Sequence, residues 1–345
     1  MKKNLILPAL LTGFALLAGC KSASTDLHLY TWADYIKPEL VQQFEKENNC
    51  KVIIDTFDSN EGMYAKLKAG ATGYDVITPS SYMARIMFSQ DMLMPLDHAL
   101  LPNLVNIDPE YLRIAIDPAM KYSVPYMITY TGIGYLKDQV NDVQPSWKMF
   151  ARPELKGRMT MLNDMRETIG AALKYLGYSL NTIDDAQLAA AKAVVIGWKK
   201  NLAKFENEQY KTGLASGEFL LVHGYSGDIL KVQEENEQVE FIIPAEGFSL
   251  ASDDLVIPKA ARNAGLACKF INFLHAPAVA AANTEFITYL CPNSTGYALL
   301  SAEIRNNPGI FPDAATRARG EVIQDLGENN QKYIRIWDEI KAAGE

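Results

Sequence analysis

The chain is poor in the residues that build metal and redox centres. Among 345 residues there are four cysteines and four histidines. His28, His98, His223 and His275 are scattered, and Cys20, Cys50, Cys268 and Cys291 follow no zinc-type spacing, so no metal site and no resident cofactor is expected. Runs of lysine or arginine are missing too. With 41 acidic against 33 basic residues the net charge is −8, which leaves no basic footprint for nucleic acid. No stretch is strongly rich in proline or glycine, and no repeat of solenoid period occurs. After the first twenty residues, no apolar run reaches the roughly 20 residues that a membrane-spanning helix needs.

What is present is ordinary globular composition, 48% hydrophobic and 21% charged, in a chain long enough for two domains with their own cores. The N-terminus differs from the rest. Lys2 and Lys3 precede an apolar stretch from Leu5 to Ala18, broken only by Pro8, Thr12 and Gly13, which ends in Leu17-Ala18-Gly19-Cys20. Residues 1–20 read as an export signal rather than as part of the fold. The ending resembles the bacterial lipobox, which makes Cys20 the lipidated first residue of a mature protein tethered to a membrane outside the cytoplasm. Cleavage leaves 31 basic residues and a net charge of −10. Three cysteines remain: small buried residues, or one disulfide plus one free thiol.

The body alternates strands with amphipathic helices. LHLYTW, CKVIIDTF and YDVITP read as strands, separated by the helical KPELVQQFEKEN and NEGMYAKLKAG and followed by SYMARIMFSQ. That βαβαβ order predicts a parallel sheet covered by helices, with ligands bound beyond the carboxyl ends of its strands. The apolar, aromatic stretch 122–136 fits a segment passing between two bodies. A second series follows: the strand GRMTML, the helices RETIGAALKYLGY and DDAQLAAAKAVVIGWKKNLA, the strand EFLLVHG, a helix from Gly227 and the strand VEFIIPAEG. DDLVIP and the helix NAGLACKFINFLHAP lead back to the first body, and a helix near residues 327–343 closes the chain. The expectation is an α/β, two-lobed fold with a hinge and an interlobe cleft. One lobe holds 27–130 plus 254–305; the other holds 131–253 plus 306–345.

Several stretches then carry a family likeness. YTWADYI, SNEGMYAKLKAGATGYDVITPSSY, YSVPYM, LNDMRETIGAALKYLGYS, DDLVIP, FINFL and FPDAATRARGE follow in the order and spacing of the bacterial polyamine-binding receptors of ABC importers, from about Leu27 to about Ala342. The chain resembles that family, which has the periplasmic-binding-protein fold. The resemblance implies an extended di- or triamine lying between the lobes, aromatic rings along its methylenes and carboxylates at its ammonium heads. Residue by residue it implies ligand-binding roles for Trp32, Asp34, Tyr35, Ser81, Tyr82, Asp164, Glu167, Tyr225, Asp228, Asp253 and Tyr289, with Ser80 beside them. It also implies a permease partner in the cytoplasmic membrane, a monomeric receptor and no catalysis. The chain departs from the spermidine-binding type at Ala33, Ala251 and Ile323, whereas Asp34 and Asp228 resemble the putrescine-preferring branch.

The residue types suit that ligand. A primary ammonium brings three donors and no acceptor. Burying it unpaired costs several kcal/mol, and a carboxylate offsets this at roughly 1.5–3 kcal/mol per charged hydrogen bond. Rings bury methylenes at about 0.8 kcal/mol each and attract the cation by roughly 0.5–2 kcal/mol. Plainer roles fit the same residues one at a time. Asp164-x-x-Glu167 reads as a helix capping box, Asp34 as a first-turn acid, and Tyr35 and Tyr82 as core rings. Tyr30, Trp147, Trp198 and Trp337 read as structural. An amino-acid receptor would use Arg166 for the ligand carboxylate. An enzyme would use a cysteine, and of the three only Cys291 lies near the expected cleft.

Overall fold

The computed structural model describes residues 26–344. The export signal and Cys20 lie outside the described residues. Ten strands join in one sheet: β1 (Leu27–Thr31), β2 (Val52–Thr56), β3 (Val76–Ile77), β4 (Ser123–Leu136), β5 (Met159–Met161), β6 (Leu202–Phe205), β7 (Leu221–Tyr225), β8 (Val239–Ile242), β9 (Phe248–Val256) and β10 (Gly320–Val322). Their order is β2-β1-β3-β9-β4-β7-β5-β6, with β8 on β4 and β10 on β9. β2, β1 and β3 are parallel, and so are β7, β5 and β6. Between these two sets run β9 and β4, antiparallel to each other and to their outer neighbours β3 and β7. The sheet is therefore mixed rather than parallel throughout, because the chain leaves the first lobe on β4 and returns on β9.

β4 has 14 residues, about 45 Å at roughly 3.3 Å per residue, and only Tyr135 escapes full burial. That explains its near-continuous apolar sequence: a strand covered on both faces has no solvent side to alternate toward. Its first half pairs with Leu250–Val256 of β9 and its second half with β7. Pro125, which has no N–H to give a ladder, sits where the β4–β9 register shifts before Met127.

The first helix, Pro38–Asn48, shows how sequence sets local structure here. Pro38 occupies the first turn, where its missing N–H is no loss. Leu40 and Phe44, one turn apart, face the core, and the left-handed Asn49 (φ 48°) ends the helix. Phe44 joins Leu29, Val76, Tyr126 and Phe270 in the first lobe's core. Trp147, Trp198 and Trp337 pack with Met159, Ile169 and Tyr333 in the second. Tyr30 is buried too, stacked on Tyr74 at 4.4 Å.

Several elements were not anticipated, among them β6, β10 and the helices Gln209–Ser216 and Pro277–Ile287. The returning strand begins at Phe248, five residues before DDLVIP, so the return crossing is longer than the sequence suggested. Cys50, Cys268 and Cys291 are all free and buried, which removes the disulfide option. Among the described residues, no single helix is long and apolar enough to cross a membrane, and no group of His, Cys, Asp and Glu could hold a metal ion.

Candidate ligand-binding cleft

A cavity of about 980 Å³, counting its open mouth, lies where the lobes meet. The first lobe contributes the end of β1 (Trp32, Ala33, Tyr35) and the turn after β3 (Ser80, Ser81, Tyr82). β9 contributes Ala251, Ser252 and Asp253 as it crosses, and the second lobe contributes Asp164, Glu167, Tyr225 and Asp228.

Asp253 is held by two hydroxyls, one on each oxygen. Tyr35 Oη donates to its Oδ2 at 2.5 Å and Ser80 Oγ to its Oδ1 at 2.6 Å. Ser80 is itself fixed by Asn60, whose Oδ1 accepts from Ser80 N at 3.0 Å. Tyr35 is fixed by Tyr126, whose hydroxyl donates to Tyr35 O at 2.8 Å. Burial pushes the Asp253 carboxyl up to about 6, with the two hydroxyls pulling the other way. Asp254 lies buried behind it and takes hydrogen bonds from Ser252 (2.7 Å) and Ser81 (3.0 Å). Burial pushes it up to about 7.

Across the cavity, Asp164 caps the helix Met165–Tyr175, its Oδ1 accepting from the amides of Arg166 (2.9 Å) and Glu167 (3.0 Å). The capping box is not completed, because Glu167 turns to Ser249, whose hydroxyl donates to Oε1 at 2.8 Å. Glu167 Oε2 is buried without a hydrogen bond of normal geometry. Burial first, and then the neighbouring Asp164 charge, push Glu167 up to about 8. Burial also raises Asp164.

The walls are aromatic. Trp32 leans on Phe57 at 4.4 Å, and Tyr35 meets Tyr289 edge-to-face at 5.8 Å. Tyr82 donates to Glu61 at 3.1 Å. Tyr289 donates to Asp228 Oδ1 at 3.0 Å, and Tyr210 holds the other oxygen. Gly227 lets the Tyr289 ring approach: a Cβ there would lie 2.6 Å from the ring. The positions of departure, Ala33, Ala251 and Ile323, all line the cavity, so they widen it or make it less polar.

Ten of the eleven expected residues line this cavity; Asp34 does not. Its backbone is left-handed (φ 54°) and its side chain is exposed in a neighbouring groove, because the turn after Trp32 swings it outward. Arg166 is also turned away. It is buried against the Tyr333 ring (4.7 Å) and bonded to Gln324 O and Asn181 Oδ1, so it has no reach for a ligand carboxylate. Cys291 belongs to the first lobe's core rather than to the cleft, and burial pushes its thiol up to about 12, which removes a nucleophile. The sequence reading missed Asp58, Asn60, Asn207, Glu208 and Lys211, all of which line the cavity.

The model of one family, the bacterial extracellular solute-binding proteins, matches residues 39–312. The chain belongs to that family. This solute-binding protein is 34% identical to a putrescine/cadaverine-binding protein of Pseudomonas aeruginosa, with 99% of each chain covered. It is 36% identical to the spermidine/putrescine-binding periplasmic protein of Escherichia coli, over 96% of this chain and 97% of that one. Among solved structures it is similar to the TpPotD lipoprotein of Treponema pallidum: 34% identity, TM-score 0.83, 91% of this chain and 99% of that one. The two-lobed periplasmic-binding fold is shared with these neighbours, and the two curated relatives are named for the amines they bind.

Proposed function

We propose that this solute-binding protein captures a short polyamine, putrescine before spermidine, in the interlobe cleft and delivers it to an ABC permease in the cytoplasmic membrane. It would act as a monomer on the outer side of that membrane or at the cell surface, held by lipid on Cys20. No reaction and no cofactor enter this reading. The observation that carries it is Asp253, a carboxylate buried between aromatic walls whose two hydroxyl partners leave it free to accept from an ammonium. The second head would meet the Asp164–Glu167 side, and Trp32, Tyr35, Tyr82, Tyr225 and Tyr289 would enclose the methylenes. Ser81 and Asp228 would hold the walls in place. Micromolar affinity needs about −8 kcal/mol, which two paired heads and four buried methylenes can supply after ordering costs.

The lobe of 27–130 plus 254–305 would close on that of 131–253 plus 306–345, with ligand stabilising the closed state. The names of the relatives support the polyamine class. Titration of the mature protein with putrescine, spermidine and cadaverine tests it. Binding of at least one at micromolar concentration is expected; none tighter than millimolar would end the reading.

A further inference from the structure

Lys211 is the one cation among the described residues that line the cavity, against six acids: Asp58, Asp164, Glu167, Glu208, Asp228 and Asp253. It lies on the helix Gln209–Ser216 and pairs with Glu208 at 2.7 Å, its side chain 29% exposed. The charges of Asp228 and Asp34 also act on it. Its position is a junction. The cavity and the outer groove share five lining residues: Ala33, Tyr35, Lys211, Asp228 and Tyr289. A ligand that extends from the cavity into the outer groove passes these residues. The outer groove beyond the junction is lined by a second cation, Lys231, together with Asp34 and Glu235.

Resting on the polyamine reading above, we propose that Lys211 sets the ligand's length: its ammonium occupies the end of the cleft that a triamine's third ammonium would need, so the site admits diamines and rejects longer polyamines. Rejection works by like-charge repulsion from Lys211, and repulsion between facing charges discriminates strongly between otherwise similar ligands. Lys211 is thus a specificity-determining residue at the outer end of the site.

The test is calorimetric titration of the mature protein and of Lys211→Met, Lys211→Gln and Lys211→Arg with putrescine, spermidine and 4-aminobutyrate. Circular dichroism melts monitor folding, and two neutral replacements of different shape guard against a local packing defect. The wild type is expected to prefer putrescine. Both neutral variants are expected to tighten spermidine by about tenfold or more while putrescine changes by less than about threefold, and Lys211→Arg is expected to keep the wild-type ratio. An unchanged ratio in the neutral variants overturns the proposal. So does tighter binding of spermidine than putrescine by the wild type, or binding of 4-aminobutyrate that disappears in Lys211→Met, since Lys211 would then be a carboxylate ligand. Failure of the wild type to bind any polyamine is a separate result, visible before any variant is made, that removes the receptor reading itself.

Discussion

Tyr35 Oη and Asp253 Oδ2 lie 2.5 Å apart across 218 residues of sequence, joining the loop after the first strand to the strand that crosses between the lobes. The contact points the tyrosine proton at the carboxylate and leaves the acid with accepting capacity on the cavity side. Asp253→Ala is expected to weaken putrescine binding by about 3–5 kcal/mol, roughly two to four decades, because an ammonium head is left unpaired. Tyr35→Phe removes one hydrogen bond and should lose only about 1 kcal/mol. Titration calorimetry of both folded variants measures the difference. Normal binding by Asp253→Ala would remove Asp253 from the site.

Ligand affinity should rise with pH. Asp253 and Glu167 are held up at about 6 and about 8, so the empty cleft carries protons that a dication must displace. A raised carboxyl pKa keeps the neutral form to higher pH. Affinity is therefore retained above these values and lost as pH falls through them, by up to about tenfold per unit for each proton released. Dissociation constants from pH 5 to 8, with calorimetry in buffers of different ionisation enthalpy, read both effects. A flat profile with no proton release is the contrary outcome.

Gly227 gives a steric test of the wall. In Gly227→Ala the new methyl meets the Tyr289 ring at 2.6 Å, and overpacking of that kind costs about 1–3 kcal/mol of stability. Displacing the ring also disturbs its 3.0 Å bond to Asp228, so putrescine affinity should fall with stability. The double variant Gly227→Ala/Tyr289→Ala should recover the stability lost to the clash, giving non-additive denaturation energies. Strict additivity would mean that the two sites do not touch.

His223 speaks to stability alone. Its ring is buried beside Trp147, both ring nitrogens lack partners, and burial holds its pKa down at about 3. The unfolded imidazole titrates near 6.5, so the folded state loses stability as pH falls from about 6.5 toward 3, by up to about 1.4 kcal/mol per unit. His223→Phe should match or exceed the wild type at pH 7, and its advantage should widen toward pH 4. Denaturant midpoints at several pH values settle it; a constant gap would show that His223 does not titrate on unfolding.

Much of this architecture was legible because period-2 strands alternate with clear amphipathic helices. The crowding of Trp32 and Tyr35 at the end of β1 pointed to the cleft for a physical reason: strand ends are where such sheets expose side chains to ligands. What stayed hidden depends on tertiary context. The helix Gln209–Ser216 is short and contains Thr212 and Gly213, and it is held by burying Tyr210 and Leu214 rather than by propensity, so Lys211 could not be placed. Asp34 looked like its neighbours, but a single left-handed residue reverses where a side chain points. Arg166, between two cavity acids in sequence, commits its guanidinium to Gln324 O, Asn181 and the Tyr333 ring, although its charge still acts on both acids.

The paired crossing of β4 and β9 has a mechanical side. Two hydrogen-bonded strands side by side make a ribbon that bends out of its plane more readily than it shears along its length. Asp253 and Ala251 lie in the ribbon itself, and Tyr225 sits directly beside it, paired with Thr131 of β4, so all three stay close to any bend in it. Asp253 is thus built into the joint rather than carried on either arm, like the pivot-side jaw of a caliper.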